Sequence, residues 1–237
     1  MKDKKLLSDI KEYLKCYENQ VLEDWYELIR HISVSETGEG IETCCDWIQK
    51  KMEEIGIQVT KYSVKPAPVL VGRFGNDPEK KTVLIYAHYD VKPAGERKLW
   101  HSDPFVPTVR DGKVYARGSA DNKSPLMAHL KALEYFIRRK MEVPVNVIFV
   151  FEGDEECGSR GLEEFLAEHR TELAADLVFF SDGPKDPSGL PIIALGAKGD
   201  LSIHITVETM NRNVHARYAP VLPSAAWQLV EILGKCR

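Results

Sequence analysis

Three apolar runs in this chain end in residues able to do chemistry. The run TVLIYA at 82–87 leads into His88 and Asp90, VNVIFVF at 145–151 into EGDEECGS with Asp154, Glu155 and Glu156, and DLVFF at 176–180 into Asp182. A further acid, Asp121 in RGSADNK, stands just ahead of a segment with helical periodicity. Adjacent carboxylates repel one another unless a proton or cation sits between them. Singly, each residue has an ordinary use: Asp121 as a helix cap, Asp182 in a turn, His88 in the core, Glu155 and Glu156 at a helix start. Together, at successive strand ends, they point to a site for one or two divalent metals, and imidazole with carboxylates suits zinc, manganese or cobalt.

Such a cluster forms only if the runs are neighbouring strands, because α/β sheets gather ligands beyond their carboxyl ends. Leu6, Ile10, Leu14, Val21, Trp25, Leu28 and Ile29 recur at helical spacing, as do Ile41, Cys45, Ile48, Met52 and Ile55, which stop at Gly56. β-like runs follow at 58–64 and 69–74. Residues 124–138 place Leu126, Leu130, Leu133 and Ile137 on one face, with Pro125 near the start, and read as a crossover helix. With a helix at 161–169, the order strand, helix, strand, helix, strand gives an α/β fold: a mixed, mainly parallel sheet with flanking helices. The continuous apolar runs suggest strands buried on both faces. From Lys198 the texture changes, since LSIHITVE alternates like a half-exposed strand and 223–233 reads as an amphipathic helix. A domain boundary is expected near Ala197, giving 1–197 and 198–237.

The 237 residues are 43% apolar with a net charge of −4, enough for a real core and without the basic stripe of a nucleic-acid binder. The charged N-terminus lacks a secretory apolar stretch and no run is long enough to span a membrane, so a cytoplasmic protein is expected. Five cysteines without a CxxC pair fit reduced thiols, and Cys44 and Cys45 read as small buried hydrophobes. GRFGND and EGDEECGSRG lack the glycine spacing and lysine of a phosphate loop.

IYAHYDVKPAG, WHSDPFVPTVRDGKVYARGSADNKSP, FEGDEECGSRGL and SDG resemble the co-catalytic zinc metallopeptidases, a family of carnosine dipeptidases, glutamate carboxypeptidase, aminoacylases and acetylornithine deacetylase; HYDVKP, WHSDPF and RDGKVYARG look most like the dipeptidase branch. The resemblance implies two divalent metal ions, zinc or else manganese or cobalt. It makes His88 and Asp182 ligands of one metal, Asp121 the bridging carboxylate, Glu156 a ligand of the other and Glu155 the general base. A non-ligand carboxylate beside metal-activated water can take its proton, while Asp154 is left as a solvated flank. Asp90 resembles the aspartate that fixes the ligand imidazole's tautomer, and His215 a lid histidine that stabilises the oxyanion in the neighbouring subunit's site. A small peptide substrate and a homodimer through the lid are implied. The alternatives are an N-acyl amino acid deacylase of the same family, or an inactive truncated homologue acting as a metal-binding or dimerising module.

The sequence departs from the family in three places. Ala216 and Arg217 follow His215 where the family commonly has Ser-Gly, and Asn122 replaces an acid that in the family often follows a cis peptide bond. Family members also run to about twice this length, so the resemblance implies that 198–237 is the beginning of a small α+β lid domain and that a last histidine ligand is not among these residues. Three protein ligands remain for the first metal, but only Asp121 and Glu156 for the second. One metal is therefore expected to bind better than two, and the unfinished sheet to leave apolar surface exposed.

Overall fold

The structure, a computed structural model, describes residues 2–183, 186, 188–190, 192–194, 196, 198–199 and 201–236. The chain divides into two compact units, Met1–Pro184 and Lys185–Arg237. The boundary expected near Ala197 falls on a residue outside those described.

In the first unit, helix α1 (Lys2–Arg30) and helix α2 (Ile41–Ile55) precede strands β1 (Gln58–Tyr62), β2 (Val69–Phe74) and β3 (Thr82–His88). Helix α2 buries Ile41, Cys44, Cys45, Ile48 and Met52, one helical stripe, and stops at Gly56, whose φ of 94° is left-handed. Strands β4 (Thr108–Arg110) and β5 (Lys113–Tyr115) form a separate hairpin, which the sequence did not announce. Helix α3 (Lys123–Arg138), strand β6 (Asn146–Glu152), helix α4 (Leu162–Glu168) and strand β7 (Leu177–Phe180) complete the unit.

The main sheet has the order β1-β2-β6-β3-β7. β2 is antiparallel to both β1 and β6, while β3 runs parallel to β6 and β7, so every strand except β2 points the same way. All seven residues of β6 are buried, as its unbroken apolar run anticipates. Their alternation splits the core: Phe149 and Phe151 pack with Ile48, Met52, Leu126 and Leu130 from α2 and α3, whereas Ile148 and Val150 pack with Phe165 of α4 and Leu173. Helices thus cover both faces. Gly72 in β2 lets α2 come close, since a Cβ there would run into Met52 and Ile57.

Two expectations are corrected. β7 carries an apolar sequence but all four of its residues are exposed, because it lies at the sheet edge with β3 as its one paired strand. In the second unit, the alternating stretch 201–210 forms no strand. Alternation marks which side chains a strand could bury, but pairing needs a neighbour, and Leu201 and Ile203 stay exposed at 80% and 70%. The helix expected near the C-terminus is present as α5 (Ala225–Lys235), capped by the Ser224 hydroxyl accepting from the Trp227 N–H at 3.4 Å.

Phe149 is fully buried at the centre of the larger core. Replacing it with alanine should cost about 3–5 kcal/mol of stability. Urea denaturation measures this, and a loss well under 1 kcal/mol would contradict the packing described.

Candidate metal centre

Parallel pairing sets β3, β6 and β7 side by side with their carboxyl ends together. His88 lies level with Glu152, and Tyr86 with both Val150 and Phe180. The residues just beyond each strand therefore meet. His88 is completely buried, and Asp121 Oδ1, Asp182 Oδ2 and Glu155 Oε2 lie 3.0, 3.1 and 3.6 Å from its Nε2. Among the described residues, His88, Asp121 and Asp182 form the one group of three such side chains whose ligand atoms all lie within 4.8 Å of one another.

Asp90 holds the other side of the imidazole. Its Oδ1 stands 3.3 Å from His88 Nδ1, and its two carboxylate oxygens accept the N–H groups of Glu155 at 3.2 Å and Glu156 at 3.0 Å. One fully buried carboxylate thus anchors both the ring and the acidic turn. Burial tends to raise the Asp90 carboxyl, but the His88 and Ser35 hydrogen bonds and the His88 charge outweigh it and hold the group below its usual range.

The turn after β6 is short because Gly153 passes directly over the Tyr89 ring, where a Cβ would collide. The Tyr89 hydroxyl is fixed by donating to Pro68 O at 2.7 Å. Asp154 is not the solvated flank expected. It is 4% exposed and bound by Arg160 through Nε at 2.9 Å, Nη2 at 2.6 Å and the backbone N–H at 3.0 Å. A planar guanidinium six residues on satisfies it, a partner that spacing alone did not reveal.

The Asp121–Asn122 peptide bond is cis. Asn122 is fully buried, and neither its side-chain oxygen nor its nitrogen finds a hydrogen-bond partner. Beyond it, the buried Lys123 ammonium donates to Leu28 O at 3.1 Å and His31 O at 2.6 Å, tying the start of α3 to the end of α1. Next to Asp182, Ser181 shares a 2.6 Å hydrogen bond with His129 Nε2.

Glu156 is the sequence-nominated ligand that is not brought into the cluster; its Oε2 stands 3.5 Å from Lys92 Nζ instead. His215 lies in the second unit, where its Nδ1 accepts the Arg217 N–H at 3.1 Å and caps a short turn.

The charge balance calls for a cation. Burial tends to lower the His88 imidazole, but Asp90, Glu155 and Asp121 overcome it and raise it to about 9. Glu155 is raised too, by burial first and then by the charges of Glu156, Asp182 and Asp90. One imidazole and carboxylates at this separation are a donor set that a divalent metal fits.

These features define an α/β protein with a histidine–carboxylate cluster, its donor atoms close enough together to fit a metal ion, at the carboxyl ends of its parallel strands. Residues 84–235 match the model of Peptidase family M20/M25/M40, and the chain belongs to that family. It is 40% identical over 172 residues to the Cys-Gly metallodipeptidase dug1 of Schizosaccharomyces pombe, covering 70% of this chain and 36% of that protein. It is 35% identical over 170 residues to the Beta-Ala-His dipeptidase of Homo sapiens, covering 70% and 34%. The M20 family metallo-carboxypeptidase Sso-CP2 from Sulfolobus solfataricus superposes with a TM-score of 0.81 at 32% identity, over 90% of this chain and 48% of that one. The chain spans less than half the length of these relatives.

In the metal-free protein His88 has a sign-determined effect on stability. Its folded value of about 9 lies above the ordinary 6.5, so its contribution is full below pH 6.5 and is lost as pH rises through about 9. Chelator-treated protein should lose stability over that interval more steeply than His88→Gln. Parallel denaturation curves for the two would contradict this.

Proposed function

We propose that this chain carries the metal centre of a peptidase that hydrolyses dipeptides or other short peptides. The observation that carries the proposal is the convergence of Asp121, Asp182 and Glu155 on the buried His88 imidazole. Kinship with Cys-Gly and Beta-Ala-His dipeptidases supports the substrate class.

His88, through Nε2, with Asp121 and Asp182 would hold a divalent metal, zinc in the first instance, and Asp121 with Glu156 a second one. A bound metal supplies Lewis acidity toward water and the scissile carbonyl. The remaining tasks fall to the chain's own side chains. His88 Nδ1–H faces Asp90, whose backbone oxygen lies 3.1 Å away and whose Oδ1 lies 3.3 Å away, and this leaves Nε2 unprotonated for a ligand. Glu155 is 35% exposed, faces the cluster and is shifted toward proton affinity by burial and its acidic neighbours. It takes a proton from the attacking water as that oxygen bonds to the scissile carbon, and then delivers the proton to the leaving amine as the carbon–nitrogen bond breaks.

His215 is assigned to oxyanion stabilisation in a homodimer assembled through the second unit, whose α5 exposes Trp227, Val230 and Leu233. A cytoplasmic setting accords with the free cysteines among the described residues, none of them disulfide-bonded.

With zinc- or manganese-loaded protein and a panel of dipeptides and N-acetyl amino acids, dipeptides should be the substrates turned over. Glu155→Gln should lower turnover about 10²- to 10⁴-fold with metal content unchanged. Turnover equal to wild type would remove Glu155 from the mechanism, and preference for N-acetyl amino acids would reassign the substrate. Asp90→Asn should weaken metal binding about 10- to 100-fold, read by equilibrium dialysis with elemental analysis; unchanged affinity would contradict its role.

A further inference from the structure

Positive charge is divided unevenly across the acidic end of the sheet. Asp121, Asp182 and Glu155 face the His88 imidazole, whereas Glu156 turns to Lys92. The Glu156 carboxylate is 14% exposed, so water alone solvates it poorly. The Lys92 ammonium, 3.5 Å away, supplies the missing charge and also contacts the Glu156 backbone oxygen.

Backbone constraints keep the two residues together. Val91, just before Lys92, donates its N–H to Ser33 O at 2.8 Å, which pins the start of the loop. Glu156 is held from the other side by its own N–H on Asp90 at 3.0 Å. Lys92 therefore leaves from a fixed point beside the acidic turn, and its side chain, 53% exposed, needs little rearrangement to reach Glu156 or to swing into water.

Resting on the reading of this cluster as a metal centre, we infer that Lys92 is an internal counter-cation for Glu156. It holds that carboxylate out of the metal cluster, so the site takes one divalent ion tightly and a second only by displacing the Lys92 ammonium. The two positive charges compete for one carboxylate. A partly exposed ion pair is weak, so the competition is modest: its removal corresponds to a change of about two- to fivefold in affinity. Among the described residues, Lys92 forms its hydrogen bond and ion pair with Glu156 alone, so the first binding step is indifferent to it.

The test uses the full chain, freed of metal with a chelator, titrated with zinc and separately with manganese under equilibrium dialysis and calorimetry. Wild type should bind one equivalent tightly and a second weakly. Lys92→Met should tighten the second step about two- to fivefold and leave the first unchanged. Lys92→Arg, which keeps the charge, should behave as wild type, and in a Glu156→Gln background Lys92→Met should have no effect. A second-ion affinity in Lys92→Met equal to or weaker than wild type would overturn the inference while the metal centre stands, as would two equally tight ions in wild type. No binding by wild type would overturn the metal reading itself, and the inference with it.

Discussion

Everything at the acidic end of this sheet depends on Asp90. Two like charges about 4 Å apart at an effective dielectric of 20 oppose one another by about 4 kcal/mol, so the close approach of Asp121, Asp182 and Glu155 cannot rest on sheet geometry alone. Asp90 adds one more negative charge but holds the parts in place from behind. It is fully buried, and it orients the His88 ring while accepting the N–H groups of Glu155 and Glu156. The same carboxylate therefore fixes the positive partner and the turn that carries the negative ones. Its own charge is stabilised by those contacts, which favour the ionised form.

The scaffold around Asp90 explains why so short a turn can carry so much charge. Tyr89 is buried beneath Gly153, its hydroxyl on Pro68 O, and its backbone N–H donates to Glu152 O at 2.8 Å. β3 and β6 are thereby joined one residue past their last register pair, His88 with Glu152. Arg160 then removes Asp154 from the competition for positive charge, because its guanidinium occupies both carboxylate oxygens. Three consecutive acids have three different fates, with Arg160 on the first, the metal cluster facing the second and Lys92 on the third.

The sequence made the strand ends legible because period and composition act locally. An apolar run ends where polar residues begin, and parallel pairing does the rest, which is how His88, Asp90, Glu155, Glu156 and Asp182 could be grouped before any coordinates, with Asp121 added from the turn ahead of α3. What stayed hidden was partnership at a distance. Arg160 and Lys92 carry charges found on any surface, and nothing in their spacing says which acid each one takes. The alternating stretch 201–210 and the apolar residues of β7 mislead for the same reason. A pattern states what a strand would bury if it had a neighbour, and neither stretch has the neighbours it needs among the described residues.

That difference in neighbours ranks the members of the cluster by how firmly they are held. His88 ends a strand paired on both sides, by β6 and β7, and is locked by Asp90. Asp121 precedes a helix whose buried Lys123 is bonded to the end of α1. Asp182 follows β7, which lies at the sheet edge with β3 as its one paired strand. Its support comes instead from aromatic contacts and one polar bond: Phe180 stacks on Tyr86 at 5.0 Å, Phe179 meets the His129 ring edge-on at 5.4 Å, and Ser181 is tied to His129. Such aromatic pairs contribute about 0.5–1.5 kcal/mol each, less than a buried strand pairing with its side chains would. Asp182 is therefore the member of the cluster whose position responds most to whatever covers or uncovers the β7 edge, and the cluster is least rigid on that side.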